Sequence, residues 1–259
     1  MIVELIGCAG AGKTTLRRLL AEREIAGRRS CAMSDLVLDR PVLRRITHPT
    51  AVNVAQEIGS LPFVLGGPRS DRDFVRYARR MLAGHARSRF DEVNGLRGIV
   101  RKVGMYRLAA SRAREAVVLS DEGTLLSAYN LLVMTDLKAG PEDIEAFLRV
   151  VPLPDRVVYV TAPVAALVGR AHSRPSPRRQ HRGRTEVEVE SDVRETVDLF
   201  DRIAASPLVA DRLLVVENGD GDEASTRQVA DRIAAWLESP SASVTTPPLA
   251  HALAGGSEG

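Results

Sequence analysis

The sequence predicts an α/β fold built on a doubly wound parallel sheet. Short continuous apolar runs, typical of strands buried on both faces, occur at residues 2–6, 116–123, where the run ends in two carboxylates, 156–160 and 212–217. Segments of helical period separate them, and this alternation is typical of parallel sheets covered by helices. In such sheets ligands bind at the carboxyl ends of the strands, so the functional residues are expected there.

Composition narrows the class of protein. The chain has 259 residues, 44% of them hydrophobic, which is enough for one large α/β domain or two small ones. A net charge of +3 is too small to indicate nucleic-acid binding. Two cysteines and the absence of an apolar run near the roughly 18 residues of a membrane span favour a cytoplasmic protein without a membrane partner. The oligomeric state stays open, a homodimer included.

The first elements are a strand, a glycine loop and a helix. Ile2–Ile6 is predicted as a short buried strand and Thr14–Ile25 as an amphipathic helix. A second strand is predicted within 30–35. Residues 36–115 are predicted to be mostly helical, with 72–86 and 95–113 the clearest stretches.

The remaining helices follow the later strands. A final helix over 225–238 is predicted to begin with Ser225 and Gln228 at capping-box spacing and to place Trp236 in the core. Residues 239–259 are rich in Pro, Ser, Thr and Gly, and are predicted to form a disordered tail. The other predicted helices cover 124–134, 141–150, 162–172 and 191–205.

The loop after the first strand fits the pattern G-x-x-x-x-G-K-S/T. Such a loop turns backbone N–H groups toward phosphate oxygens, and the helix that follows directs its positive dipole end at the same anion. Lys13 is one of only three lysines, so a purely structural glycine turn explains it poorly. Lys13 is expected to neutralise the β- and γ-phosphates, and the Thr14 hydroxyl to ligate Mg²⁺. The predicted nucleotide-binding residues are Gly7, Ala9, Gly10, Ala11, Gly12, Lys13, Thr14 and Thr15.

Two carboxylates end the apolar run at residues 116–123. An acidic residue at the end of the strand beside the loop is what Mg²⁺ coordination requires. We expect Asp121 to hold a water of the magnesium shell and Glu122 to accept a proton from the attacking group, although the two roles are interchangeable. The alternative is a pair of exposed turn carboxylates.

An arginine-rich stretch lies between two predicted helices, over residues 170–190. One interpretation is a lid whose arginines close over the transferring phosphoryl group and stabilise its charge. The other is a solvated loop, the usual fate of charged runs. The arginines are Arg170, Arg174, Arg178, Arg179, Arg182 and Arg184.

These motifs, in this order, resemble the P-loop nucleoside and nucleotide kinases, most closely the thymidylate-kinase-like branch. The shared segments are "GCAGAGKTT", "VVLSDEG", "RVVYVTAPVAALVGRAHSR" and "VRETVDLFDRIA". The resemblance implies a P-loop NTPase fold of nucleotide-kinase type, with one kinase domain over 1–238 that contains a lid at about 172–190. It implies ATP and Mg²⁺ as cofactors, and adds Arg174 and Asn218 to the nucleotide-binding residues. The implied catalytic residues are Lys13, Asp121, Glu122, Arg178, Arg179 and Arg182.

The implied activity is transfer of the γ-phosphoryl group of ATP to a small-molecule acceptor such as a nucleoside, nucleotide or sugar. The family typically has Asp-Arg where this chain has Asp121-Glu122, and a carboxylate base favours a hydroxyl acceptor. The alternatives are a P-loop ATPase or GTPase switch, in which Glu122 orients water, and a non-catalytic nucleotide-binding protein. Candidate acceptor residues are Asp35, Arg97, Arg101 and Tyr106; the alternative for each is a structural or simply exposed position.

Overall fold

The strands of the described chain form one sheet. The structure, a computed structural model, describes residues 1–38, 54, 56–59, 62–64, 66–173, 185–219 and 222–239. Its strands are β1 (Ile2–Ile6), β2 (Glu24–Ile25), β3 (Arg28–Ala32), β4 (Ala116–Ser120), β5 (Arg156–Thr161) and β6 (Leu213–Glu217). Their order in the sheet is β2-β3-β4-β1-β5-β6. Every neighbouring pair is parallel except β2 and β3.

Helices cover both faces of this sheet, which confirms the predicted fold class. Side chains of β5 alternate between two cores, since Val157 and Tyr159 pack in one and Val158 and Val160 in the other. The helices are α1 (Lys13–Ala21), α2 (Asp35–Leu38), α3 (Arg69–His85), α4 (Arg89–Arg112), α5 (Pro141–Val150), α6 (Val164–His172), α7 (Glu186–Ala205), α8 (Pro207–Ala210) and α9 (Glu223–Glu238). None of the helices described here is long and apolar enough to cross a membrane.

The predicted helix Thr14–Ile25 is wrong over its last four residues. Helix α1 ends at Ala21, and the chain then turns through a hairpin formed by β2 and β3. Ala26 and Gly27 both have positive φ, 51° and 67°, as the two central residues of a type I′ hairpin turn require. The apolar residue Ile25 therefore reaches the core from a strand.

The segment after β4 also differs from the helix predicted over 124–134. Glu4, in the middle of β1, accepts hydrogen bonds from the backbone N–H groups of Leu125 (3.1 Å) and Leu126 (2.9 Å). These bonds hold the chain in a turn. A π-helical turn follows at Tyr129–Val133.

Two details of the last helix are corrected. Asp222 is its N-cap and accepts from the Ser225 N–H at 2.8 Å, so Ser225 does not begin the helix. Trp236 is half-buried against the core, and the Arg156 guanidinium lies 5.5 Å from its ring centre. Residues 174–184, the centre of the predicted lid, and 240–259 of the predicted tail lie outside the described residues.

Candidate active site

The glycine loop leaves the sheet at the end of its central strand. Gly7, Gly10 and Gly12 have φ of 130°, 93° and 92°, a region that side chains rarely adopt. A Cβ atom on Gly7 would lie 2.2 Å from the Val160 carbonyl oxygen, and one on Gly12 would lie 2.2 Å from Asn218 Nδ2. Gly7 and Gly12 therefore require glycine for both conformation and space, and Gly10 for conformation alone.

Lys13, the first residue of α1, folds back across the loop. Its Nζ donates hydrogen bonds to the carbonyl oxygens of Gly7 (2.6 Å) and Cys8 (2.7 Å). Lys13 is buried, with only 8% of the residue exposed. The ammonium is thus fixed inside the curve of the loop, where it can meet a phosphate oxygen.

Thr14 and Asp121 meet because β1 and β4 are neighbouring parallel strands. Thr14 Oγ1 donates a 2.7 Å hydrogen bond to Asp121 Oδ2. Arg17 Nε lies 2.9 Å from the other carboxylate oxygen and forms an ion pair with it, although it is not aligned for a hydrogen bond. A hydroxyl and a carboxylate at this distance suit a hard cation such as Mg²⁺, which takes its remaining oxygens from water and phosphate. No cluster of three or more His, Cys, Asp or Glu side chains within the described ranges could hold a metal alone.

The loop forms one wall of a cavity of about 720 Å³. Asp121 and the exposed residue Glu122 line the same cavity, so the two predicted carboxylates reach it together. All predicted loop residues except Ala11 contribute to the lining; Ala11 is fully buried beneath the loop. Helices α4 and α7 and the π-helical turn supply the opposite side, with Gly98, Arg101, Lys102, Tyr129, Asn130, Asp192, Thr196 and Phe200.

Arg170 and Asn218 fix the loop from behind. Arg170 Nη1 donates to the carbonyl oxygens of Gly10 (3.0 Å) and Asn218 (3.2 Å), and its Nη2 also bonds to that of Gly219. The Asn218 side chain is buried and donates from Nδ2 to the Ala11 carbonyl oxygen at 2.9 Å. Arg170 is therefore docked on the loop and is not part of a solvated run.

Two buried ionisable residues near the site were missed from sequence. Lys102, on α4, is 8% exposed and lines the cavity. Burial lowers its pKa to about 8, against the charges of Glu4 and Glu122, which act to raise it. Burial likewise raises the pKa of Glu4. For Glu4 the available signal was a charged residue inside an apolar strand; Lys102 follows Arg101 in the sequence and had no such signal.

The predicted acceptor residues separate into two groups. Arg101 lines the cavity beside Lys102. Asp35 accepts from the neighbouring Ser34 hydroxyl, and Arg97 pairs with Glu57 at 2.7 Å. Tyr106 donates to the Leu153 carbonyl oxygen at 2.7 Å. In the described structure these last three do not line the cavity. The predicted lid arginines, Arg174, Arg178, Arg179 and Arg182, lie outside the described residues.

The sheet, the glycine loop between β1 and α1, and the carboxylate at the end of β4 make this an α/β protein of the P-loop type. No family model matches the chain, and no curated protein matches it. Among solved structures it is similar to a shikimate kinase from Bacteroides thetaiotaomicron, with 14% identity, 92% of this chain and 98% of that chain covered, and a TM-score of 0.44. A Thermus thermophilus protein is 19% identical, over 92% and 97% of the two chains, with a TM-score of 0.43.

A third solved structure, shikimate kinase from Acinetobacter baumannii in complex with shikimate, is 17% identical. The match covers 91% of this chain and 92% of that chain, with a TM-score of 0.38. These scores are too low to transfer a substrate to this protein.

Proposed function

We propose that this chain is an ATP- and Mg²⁺-dependent phosphotransferase that moves the γ-phosphoryl group to a small-molecule acceptor. The observation that carries the proposal is the convergence of Lys13, Thr14, Asp121 and Glu122 on the wall of one cavity of about 720 Å³. That volume is typical of sites for small molecules and cofactors. A glycine turn with only a structural role would not need a hydroxyl and two carboxylates beside it.

Each residue has a defined task in the proposed reaction. The loop N–H groups and Lys13 bind the β- and γ-phosphates and neutralise their charge. Thr14 and Asp121 hold the magnesium ion, which supplies positive charge at the transferring group when bound. Glu122 accepts the proton of the acceptor hydroxyl while the oxygen of that hydroxyl forms a bond to the γ-phosphorus. The bond from that phosphorus to the β,γ-bridging oxygen breaks, and ADP leaves.

The sequence-based expectation of a lid belongs to the same proposal. One of Arg178, Arg179 and Arg182 is proposed to stabilise charge on the transferring phosphoryl group, and Arg174 to contact the nucleotide. Asn218 is proposed to support the nucleotide through the loop, because its side chain bonds to the Ala11 carbonyl oxygen and lines the cavity.

An incubation with γ-³²P-labelled ATP and a metabolite extract tests the proposal. We expect a labelled organic product that requires Mg²⁺ and disappears with Lys13→Met, which removes the charge and keeps most of the side-chain volume. Release of labelled inorganic phosphate alone, at the same rate with and without extract, would indicate an ATPase. Nucleotide binding without any turnover would indicate a non-catalytic nucleotide-binding protein.

A further inference from the structure

A second cavity, of about 290 Å³, adjoins the larger one. Of the glycine-loop and α1 residues, only Thr14 and Arg17 reach it, so binding of the nucleotide phosphates does not account for it. Its own lining comes from the ends of β3 and β4, from α4 and from Gln56, and includes Met33, Ser34, Met105 and Ser120. The wall common to both cavities consists of Thr14, Arg101, Lys102, Asp121 and Glu122. The two cavities therefore meet where the proposed phosphoryl transfer takes place.

Lys102 lies in this common wall and is more than nine-tenths buried. Within the described parts of the chain, its ammonium makes no hydrogen bond and has no carboxylate within the 4.0 Å of an ion pair. The contrast with Lys13 is direct, since Lys13 is equally buried but bonds to two carbonyl oxygens.

Because Lys102 lines both cavities and bonds to no oxygen of the described residues, its N–H donors are open to a ligand, and a largely desolvated ammonium is best satisfied by a charged acceptor. The charges of Glu4 and Glu122 act on Lys102 only from beyond contact distance. The oxygens of Glu4 are already bonded to the N–H groups of Leu125 and Leu126. With a pKa of about 8, Lys102 is mainly cationic at neutral pH. The missing partner is therefore an anion.

We propose that the smaller cavity is the acceptor site and that the acceptor carries an anionic group, a carboxylate or a phosphate, which binds Lys102. This inference rests on the proposed phosphotransferase activity. Arg101, the next residue of the common wall, adds positive charge beside it. An acceptor held in this way presents its reacting oxygen to Glu122 and to the Thr14–Asp121 pair. Lys102 is then a specificity-determining residue, because a neutral analogue would give its ammonium no counter-charge.

The γ-phosphoryl group of ATP is the other possible source of an anion at this wall. The two sources differ in one measurable respect. An acceptor anion binds when a non-hydrolysable ATP analogue already fills the γ-position, whereas a donor phosphate excludes further anion binding at Lys102.

Because the chain has only three lysines, labelling with ¹³Cε-lysine gives one signal each for Lys13, Lys102 and Lys138. The full-length protein is saturated with Mg²⁺ and the non-hydrolysable ATP analogue, then titrated with inorganic phosphate and, separately, with malonate. We expect at least one of these anions to shift the Lys102 signal saturably. A shift that occurs only without the analogue would assign the anion to the donor and overturn the acceptor site, as would the absence of any shift.

Substitutions provide a second measurement. Lys102→Met should weaken anion binding by at least about tenfold, as expected for the loss of a charged hydrogen bond, and Lys102→Arg should preserve most of it. Lys138→Met is the matched control, because Lys138 is exposed and removal of its charge should change nothing. Equal anion affinity in Lys102→Met and wild type would contradict the proposal. Nucleotide affinity, measured on the same samples, tests the phosphotransferase proposal separately.

Discussion

Thr14 Oγ1 donates a 2.7 Å hydrogen bond to Asp121 Oδ2, although 107 positions separate the two residues. This bond joins the two side chains proposed to hold Mg²⁺. We expect Thr14→Ala to raise the Mg²⁺ concentration for half-maximal turnover by about 10–100-fold, because one oxygen ligand is lost and Asp121 loses its orientation. Thr14→Ser keeps the hydroxyl and should behave nearly as wild type. A Mg²⁺ titration of the initial rate that is identical in Thr14→Ala would contradict the assignment.

Glu122→Gln tests the chemistry of the acceptor. The substitution keeps the side-chain size but removes the base, so a hydroxyl acceptor should react with kcat lower by about 10²–10⁴-fold while ATP affinity changes little. The control is Glu223→Gln, in the same cavity beside Thr226, which should leave kcat within about twofold. A phosphate acceptor, already ionised, would instead give the wild-type rate with Glu122→Gln.

Gly12 and Gly169 form a matched pair of glycines. Gly12→Ala should destabilise the protein by about 1–3 kcal/mol and abolish nucleotide binding, because φ is 92° and the Cβ would lie 2.2 Å from Asn218 Nδ2. Gly169 is in α6, where an added Cβ would meet no atom within 4 Å, so Gly169→Ala should stabilise by about 0.5–1 kcal/mol. Urea unfolding and nucleotide titration measure both effects. A Gly12→Ala variant that binds nucleotide normally would show that the loop tolerates another conformation.

Lys102 should make stability depend on pH. Burial lowers its pKa from 10.5 to about 8, so between these values the unfolded chain binds more protons than the folded one. The contribution of Lys102 to the free energy of unfolding therefore rises as the pH increases from about 8 to 10.5. The total rise is on the order of 3 kcal/mol, since one pKa unit corresponds to about 1.4 kcal/mol.

The measurement is the difference in unfolding free energy between wild type and Lys102→Met at pH 7, 8, 9 and 10. Groups common to both proteins cancel in this difference. A difference that is flat with pH would mean that Lys102 is not desolvated in the folded protein.

The predicted lid arginines can be separated by kinetics. Single replacement of Arg178, Arg179 and Arg182 by Ala should identify one that lowers kcat by about 10²–10³-fold, as expected for positive charge supplied to a transferring phosphoryl group. Arg202→Ala removes an exposed arginine paired with Asp198 on α7 and should leave kcat unchanged. If all three variants stay within about twofold of wild type, the stretch is a solvated loop.

The sequence was most informative where one local pattern determines the structure. The apolar runs predicted β1, β4, β5 and β6, because strands buried on both faces have little room for polar residues. The glycine loop predicted where phosphate would bind, since its spacing sets the turn. Adjacency of β1 and β4 was assumed from the chemistry and is confirmed by their pairing.

What the sequence could not supply depends on contacts between distant segments. Arg170 was grouped with the arginine-rich run, because nothing local shows that it bonds to Gly10 and Asn218. Lys102 lies on a helix whose buried face includes Ile99 and Val103, and only the packed structure shows that its ammonium enters a cavity wall. The turn after β4 depends on Glu4, which precedes it by more than a hundred residues.

The central position of β1 has a consequence for the synthesis of the protein. Ile2 pairs with Val118 in β4, and Val3 pairs with Arg156 in β5. The segment that carries the glycine loop is synthesised before its partners on both sides, which follow more than a hundred residues later. Pairing between segments so distant is slow, and an apolar strand that waits for it is open to aggregation or to chaperones. The glycine loop therefore reaches its place at the end of the central strand only after β4 and β5 have been translated.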